Sequence, residues 1–273
     1  MERTKTGEFN WVDLSAKDFD AQSAFYEALF GWTHTDMPFG EGQTYRMFYK
    51  GGRVKAAVSQ LPPDLVAAGV PSAWNTYIAT DDVDETVAKA VGLGAAIAIP
   101  PMDVPGSGRM AAIQDPTGGH VFFWKPSGGS STNDMTYWEP GALSWADLNT
   151  RDPQRAAEFY TGLLGWDVQA RLGGAMPYWV INVDGEGQGG MMPMPEMVPA
   201  ETPSFWMPYF GSADIDADIA KAVSLGGTVL VGRTDITQPA PDGQSMGTVA
   251  FAVMSDPGGA TFALMQAAMV PAE

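Results

Sequence analysis

Hydrophobic residues change their spacing several times after Phe9, and each change predicts a new element. Apolar and polar residues alternate over Phe9–Ser15, which is typical of a strand, and recur at helical spacing over Asp18–Phe30. Asp18 or Asp20 fits the start of this helix, and Gly31 fits its end. Three predicted strands follow, at Trp32–Met37, Thr44–Lys50 and Arg53–Leu61.

A second pattern of strand, helix and three strands comes next. Trp74–Thr80 is a predicted strand and Asp82–Leu93 a predicted helix that ends at Gly94. The remaining predicted strands are Ala95–Ile99, Met110–Gln114 and His120–Lys125, the last two joined across the turn Asp115-Pro116-Thr117-Gly118. This part of the chain therefore holds two βαβββ modules.

The same pattern returns in the second part of the chain. The recurring pairs include Trp11 and Trp145, Phe25 and Phe159, Gly31 and Gly165, Trp74 and Trp206, Asp82 and Asp214, and Asp115 and Asp256. The two members lie 132 to 134 residues apart in all of these pairs except the last, where they are 141 apart. A register kept through a whole domain indicates a tandem duplication, with an insertion near residues 233–247 of the second copy.

A stretch without hydrophobic periodicity separates the copies. Residues 126–134 read Pro-Ser-Gly-Gly-Ser-Ser-Thr-Asn-Asp, a composition typical of a linker. We therefore predict domain 1 at residues 1–126, a linker at 127–136 and domain 2 at 137–273. The Gly-Gly pair that begins at Gly189 is interpreted as part of a turn.

Each domain is entered through D-x(6)-F-Y-x(4)-G-W and closes with D-P-x-G. Together with two βαβββ modules per domain, these motifs resemble the vicinal oxygen chelate superfamily, which includes glyoxalase I, bleomycin resistance proteins and extradiol dioxygenases. The stretches Trp74–Asp84 and Gly108-Arg109-Met110 are similar to an actinobacterial group of tandem glyoxalase-like proteins. The resemblance covers nearly the whole chain. It implies an α+β fold of tandem glyoxalase-like domains, each with two βαβββ modules curled around a cavity.

In the metal-dependent members of that superfamily, four His or Glu ligands point into the cavity from four strands. The resemblance places the corresponding positions at Trp11, Asn75, Phe122 and Ser59 or Gln60 in domain 1, and at Trp145, Met207, Ala263 and Met192 or Pro193 in domain 2. None of these side chains is an imidazole, carboxylate or thiolate, the ligands that divalent first-row metals require. We therefore expect no catalytic metal in either domain, and we predict no cofactor.

Composition and charge narrow the function further. The chain has no cysteine, which excludes disulfides and thiol catalysis. The formal net charge of −17 argues against nucleic acid and anionic membranes as partners, and is typical of a solubility coat or of an acidic cavity mouth that attracts cations. We see no signal sequence and no apolar stretch of membrane-spanning length, which favours a cytoplasmic location. We expect a monomer in which the domains form a pseudo-dimer, or a weak homodimer.

Strand alternation predicts which side chains face each cavity. The predicted ligand-binding residues are Trp11, Tyr45, Gln60, Asn75, Tyr77, Arg109, Phe122, Trp124, Trp145, Tyr178, Met192, Met207 and Tyr209. Aromatic and methionine side chains offer flat or adaptable surfaces for a planar ligand. The alternative is that the same side chains fill a collapsed barrel.

Three polar residues are candidates for catalysis. Asp13, Asp147 and His120 could act as general bases or as a proton shuttle. The structural alternative is that a backbone amide, Arg46 or Arg109 holds the aspartates, and that His120 is a structural residue near a strand end.

The sequence favours one function and leaves two alternatives open. The favoured function is metal-independent binding of a small molecule, in which a glyoxalase/bleomycin-resistance-like protein binds or sequesters a planar or aromatic metabolite or antibiotic. The first alternative is a metal-independent lyase, isomerase or hydrolase that acts on a small metabolite in secondary metabolism or detoxification. In the second, domain 2 has lost its ligand and serves as a scaffold or dimer surface for domain 1.

Overall fold

The computed structural model describes residues 5–40, 42–127, 139–172, 176–239 and 245–267. The first half of the sequence forms β1 (Phe9–Ala16), α1 (Phe19–Phe30), β2 (Thr33–Phe39), β3 (Gln43–Lys50), β4 (Arg53–Gln60), α2 (Pro63–Ala67), β5 (Ala73–Ala79), α3 (Val83–Gly92), β6 (Ala96–Val104), β7 (Gly108–Gln114) and β8 (His120–Pro126). The predicted elements are all present. The short helix α2 was not predicted, since it starts at a Pro-Pro sequence and buries none of its side chains.

The second half repeats this order without a counterpart of α2. It forms β9 (Leu143–Thr150), α4 (Pro153–Leu164), β10 (Asp167–Arg171), β11 (Tyr178–Val183), β12 (Glu186–Pro193), β13 (Phe205–Gly211), α5 (Ile215–Ser224), β14 (Thr228–Pro239), β15 (Ser245–Ser255) and β16 (Thr261–Ala267). The described residues therefore contain four βαβββ modules. The Gly189-Gly190 pair lies inside β12, so the interpretation of this pair as a turn is wrong.

Two eight-stranded sheets carry the fold, one for each half of the sequence. Their strand orders are β2-β3-β4-β1-β5-β8-β7-β6 and β10-β11-β12-β9-β13-β16-β15-β14. The central strands pair in parallel, as β1 does with β4 and β5 with β8, whereas the hairpins pair antiparallel. The fold is thus α+β, with two tandem, sheet-dominated domains. The domain and linker boundaries stay predictions, and residues 128–138 of the linker region lie outside the described residues.

Aspartates start the four longer helices, as their spacing in the sequence predicts. The carboxylate of Asp18 accepts a hydrogen bond of 3.0 Å from the backbone N–H of Ala21, and Asp82, Asp152 and Asp214 cap α3, α4 and α5 in the same way. Gly31 ends α1 in the left-handed conformation with φ of 68°, which a side chain would strain. Equivalent caps at equivalent positions explain why the corresponding helices have the same length in the two halves, 12 residues for α1 and α4 and 10 for α3 and α5.

The chain packs as two compact units that do not coincide with the two halves of the sequence. Unit 1 comprises Met1–Val12, Asn75–Asp134 and Trp145–Met207, and unit 2 comprises Asp13–Trp74, Met135–Ser144 and Pro208–Glu273. Each unit thus combines one βαβββ module of the first half with one of the second half. The hydrophobic core of each unit is therefore built by both copies of the duplication.

Reciprocal hydrogen bonds hold the two modules together in each unit. In unit 2 the hydroxyl of Tyr26 donates to Asp256 Oδ2 at 3.0 Å. In unit 1 the hydroxyl of Tyr160 donates to Asp115 Oδ2 at 2.9 Å. The tyrosine of each F-Y motif therefore binds the aspartate of the other half's D-P-x-G turn. Burial, together with the charge of the neighbouring aspartate, raises the pKa of both phenols well above 10.

Candidate functional site

Strands β9 and β11 of the second half bring together Trp145, Asp147 and Tyr178. The indole N–H of Trp145 donates to Asp147 Oδ1 and to the Tyr178 hydroxyl, both at 2.9 Å. The Tyr178 hydroxyl donates to the same carboxylate oxygen at 2.7 Å. Asp147 is only 3% exposed, whereas Trp145 and Tyr178 are half-buried. This Trp145–Asp147–Tyr178 triangle is the best-defined polar cluster on the predicted binding surface.

The electrostatics of the triangle follow from its burial. Desolvation and then the charge of Asp147 raise the pKa of Tyr178 well above 10, so its hydroxyl stays protonated and donates at neutral pH. The triangle therefore presents one carboxylate oxygen that is bound by both an indole N–H and a phenol hydroxyl.

Strand β12 pairs with β9, which carries Trp145 and Asp147, and three of its eight residues are glycine. Gly190 lies opposite Asp147 in the parallel pair of β12 with β9. A Cβ atom at Gly190 would lie 2.0 Å from the Tyr178 hydroxyl and 2.8 Å from Asp147 Oδ1. At Gly187 it would lie 3.4 Å from the Trp145 ring, an ordinary contact. Sequence reasoning missed Gly190, although the Gly-Gly pair at the place where β4 has Ala56-Ala57 was an available signal.

The first half has a related pair. The Tyr45 hydroxyl donates to Asp13 Oδ2 at 2.9 Å, and Asp13 is 5% exposed. Ala57 lies opposite Asp13 in the pairing of β1 with β4 and is fully buried. The two predicted catalytic aspartates are thus both buried and both bound by a tyrosine from the adjacent hairpin.

A second aromatic surface lies on β5 and β8. The rings of Tyr77 and Phe122 are paired, with centroids 4.7 Å apart, and Tyr77 and Phe122 are direct partners in the strand register. Asn75 and Trp124 lie on the same two strands and are half-buried. His120, at the start of β8, is exposed. The predicted positions Asn75, Tyr77, Phe122 and Trp124 therefore form one continuous stretch of strand surface.

The remaining predicted ligand-binding residues differ in how far they are buried. Met207 and Tyr209 on β13 are each 4% exposed, and Met192 on β12 is half-buried. The amide of Gln60 donates to the backbone carbonyls of Ala16 and Lys17, which is a strand-end contact. Trp11 is buried on β1. The structure does not test whether these residues bind a ligand, so that role stays a prediction.

Arg109 lies in a surface ion-pair cluster. Its guanidinium donates to both carboxylate oxygens of Asp84, at 2.6 and 2.8 Å, and to Asp103 at 2.8 Å. This cluster fixes the β6–β7 hairpin to the start of α3. Arg46, the other arginine considered as a partner for the buried aspartates, donates twice to Asp36. Arg46 and Arg109 therefore each form ion pairs with aspartates near the protein surface.

The positions that correspond to superfamily metal ligands do not fit a metal ion. Trp11, Asn75 and Phe122 supply an indole, an amide and a phenyl group, and Trp145, Met207 and Ala263 supply an indole, a thioether and a methyl group. In the part of the chain that the structure describes, we find no group of three or more His, Cys, Asp or Glu residues that could hold a metal. Divalent first-row metals need such donors.

Comparison with known proteins agrees with the geometry of the fold. Residues 8–122 match the family model of the Glyoxalase/Bleomycin resistance protein/Dioxygenase superfamily, and residues 145–265 match that of a Glyoxalase-like domain. The "Putative glyoxylase CFP32" of Mycobacterium tuberculosis is 37% identical over 97% of this chain and 96% of its own length. The "Anthracycline biosynthesis protein DnrV" of Streptomyces peucetius is 32% identical over 84% of this chain and 86% of its own length.

Solved structures with a similar fold include a glyoxalase and a dioxygenase, both of low sequence identity to this chain. The Mn(II)-bound glyoxalase from Novosphingobium aromaticivorans has a TM-score of 0.62 and 19% identity, and the alignment covers 97% of this chain and 83% of that one. The 2,3-dioxygenase LapB from Pseudomonas sp. KL28 has a TM-score of 0.64 and 10% identity, with 100% and 97% coverage. At these identities the likeness concerns the fold alone.

Proposed function

The chain belongs to the Glyoxalase/Bleomycin resistance protein/Dioxygenase superfamily, and we propose that it binds a planar or aromatic small molecule without a metal. One observation carries this proposal: aromatic, amide and apolar side chains occupy the strand positions where metal-dependent members have ligands. Fold alone does not decide function in this superfamily, so the side chains of the site have to decide it.

The chemistry of the described side chains supports a planar ligand. Trp145 is half-buried and held in one orientation by two hydrogen bonds, and the Tyr77–Phe122 pair forms a rigid aromatic surface. Rigid aromatic faces with a few placed polar groups are typical of small-molecule sites. The name of the Streptomyces peucetius relative refers to anthracyclines, which are polycyclic planar compounds, and this chemistry is compatible with such surfaces.

A second candidate function is supported by the buried aspartates. In a metal-independent lyase, isomerase or hydrolase, Asp13 or Asp147 would act as general base, oriented by Tyr45 or Tyr178. His120 would act as a proton shuttle in this scheme. The distinguishing variants are Asp13→Asn and Asp147→Asn, and the one at the general base would abolish turnover of a substrate while leaving the aromatic surfaces intact.

The proposal extends to partners and location. We propose a monomer or weak homodimer in the cytoplasm whose partner is a small molecule. Among the described residues, no helix is long and apolar enough to cross a membrane. The acidic balance of the chain, with a net charge of −17, disfavours nucleic acid.

The test is ligand binding by the full chain, measured by calorimetry and tryptophan fluorescence. Planar quinones such as alizarin, and a panel of polycyclic antibiotics, should bind after dialysis against EDTA and with unchanged affinity after Mn²⁺ or Zn²⁺ is added. Trp145→Phe should weaken binding, whereas Leu172→Ala, at a position 64% exposed in the same half, should not. Binding that requires a metal, or no binding across the panel, would contradict the proposal.

A further inference from the structure

The two halves build their Tyr–Asp pairs beside different residues. Ala57 lies opposite Asp13 on β4, and Gly190 lies opposite Asp147 on β12. Both pairings are parallel and in equivalent register, so Ala57 and Gly190 occupy the same place in the two sheets. The neighbouring positions differ in the same sense, with Val54 and Ala56 in β4 where β12 has Gly187 and Gly189.

Glycine at position 190 is not required by the backbone. Gly190 is not among the glycines with positive φ, so another residue could adopt its conformation. Glycine matters here because its missing side chain leaves space beside the strand. A Cβ atom there would lie 2.0 Å from Oη and 2.2 Å from Cζ of Tyr178, closer than non-bonded atoms can approach. The phenol therefore occupies the space that alanine would fill.

Strand geometry explains how Tyr178 reaches this space. Val180 is the direct partner of Gly190 in the antiparallel pair of β11 with β12, so Tyr178 lies two residues away on the diagonal. Long aromatic side chains reach diagonal neighbours on the same face of a sheet. The hydroxyl then bonds the carboxylate oxygen that also accepts the Trp145 indole. In the first half, Tyr45 bonds Asp13 beside an alanine, so glycine determines the position of the phenol and is not needed for a Tyr–Asp bond as such.

We propose that Gly190 is a positioning residue of the second half's binding site: its missing side chain leaves the space in which the Tyr178 hydroxyl lies against Asp147, and this hydroxyl helps to fix the indole of Trp145 as a surface for a planar ligand. The ligand part rests on the proposed function. Gly190 itself touches no ligand and acts through Tyr178. Alanine at this position would displace the phenol and release the indole from one of its two partners.

The experiment uses the full chain and two independent readouts. The first is the indole N–H resonance of Trp145, assigned by its loss in Trp145→Phe, which reports the hydrogen bonds of the triangle without any ligand. The second is the affinity for alizarin. We expect Gly190→Ala to shift the resonance and to weaken binding about tenfold, a typical effect of one lost interaction of about 1.4 kcal/mol.

Two variants separate positioning from a general loss of structure. Gly232→Ala adds a methyl group where nothing lies within 4 Å, and should leave both readouts unchanged. Tyr178→Ala removes both atoms that collide with the added Cβ, Oη and Cζ. If Gly190 acts through the Tyr178 side chain, Gly190→Ala should have much less effect in the Tyr178→Ala background than alone, which is a non-additive double-mutant cycle.

The outcomes are distinguishable. An unchanged Trp145 resonance in Gly190→Ala, or fully additive effects in the cycle, overturns the role of Gly190 whatever happens to binding. A Gly190→Ala chain that does not fold, with folding restored by Tyr178→Ala, supports the collision argument. If alizarin and the other planar probes bind to none of the proteins, the proposed function fails, while the resonance still decides the position of Tyr178.

Discussion

Tyr160→Phe should destabilise the protein more than the matched Tyr26→Phe, although both tyrosines come from the same motif and are fully buried. Each variant removes a hydroxyl that donates to the aspartate of the other half's D-P-x-G turn. Each also leaves an indole N–H without its acceptor, Trp206 in one case and Trp74 in the other. These shared losses largely cancel when the two variants are compared.

The difference lies at the aspartates. Asp115 Oδ2 is bound by Tyr160, whereas Asp256 Oδ2 is bound by Tyr26 and also by the amide of Gln22 at 2.7 Å. The residue equivalent to Gln22 in the second half is Ala156, which has no donor. Hydrogen bonds to charged groups contribute about 1.5–3 kcal/mol, and a neutral one about 1 kcal/mol. We therefore expect a loss of about 2–3 kcal/mol for Tyr160→Phe and about 1–2 kcal/mol for Tyr26→Phe.

Urea unfolding followed by tryptophan fluorescence measures both losses, with the slope of the transition checked for two-state behaviour. Gln22→Ala is the decisive third variant. In that background Tyr26→Phe should cost about as much as Tyr160→Phe, because Asp256 Oδ2 then loses both donors. Equal losses for the two single variants, or no coupling between Gln22 and Tyr26, would refute the reasoning.

Three further predictions concern pH and backbone conformation. Burial raises the pKa of Asp256 above 3.8, so the native state binds the proton of this carboxyl more tightly than the unfolded state does. The free energy of unfolding of the wild type relative to Asp256→Asn should therefore be highest below pH 3.8 and should fall as pH rises through the raised pKa. Urea unfolding across that pH range measures it. The raised pKa values of Tyr26, Tyr160 and Tyr178 affect stability in the same direction at alkaline pH. The stability that they contribute is complete below about pH 10 and is lost as pH rises through their native pKa values. Phenolate absorbance and unfolding midpoints should show this loss together. Gly31→Ala should cost about 1 kcal/mol because φ is 68° there, whereas Gly232→Ala, which has neither positive φ nor close neighbours, should be nearly neutral in the same unfolding assay.

The fold could be predicted from the sequence because its signals are local and occur twice. Aspartates such as Asp18 and Asp152 mark helix starts, glycines such as Gly31 and Gly165 mark helix ends, and the duplication confirms each interpretation with a second example. The sequence also singled out Asp13 and Asp147 as candidates for catalysis, and the structure buries both. The hydrogen bonds of the site could not be predicted in this way. They depend on diagonal neighbours such as Tyr178 and Gly190, whose contact is set by register and by the absence of one methyl group.

The division into packing units was outside the reach of sequence periodicity for a different reason. Tyr26 and Asp256 are 230 residues apart, and Tyr160 and Asp115 are 45 apart in the opposite order. A periodic pattern shows that a residue is buried but does not identify the module that covers it. The repeat marks the two halves of the sequence, whereas each packing unit combines modules of both halves.

This reciprocal packing determines where the two halves are free to diverge. A change in the F-Y motif of one half affects the D-P-x-G turn of the other, so the motifs that mark the repeat serve both copies at once and have to change together. The predicted catalytic residues Asp13 and Asp147 are instead each bound by a tyrosine of their own half. Position 190 is an instance: β12 has glycine where β4 has alanine, and the neighbouring hairpin tyrosine accommodates the difference. A duplication that shares its cores in this way can keep one fold while its two sites acquire different shapes, and the shapes that Ala57 and Gly190 allow are the first place to look for different ligands.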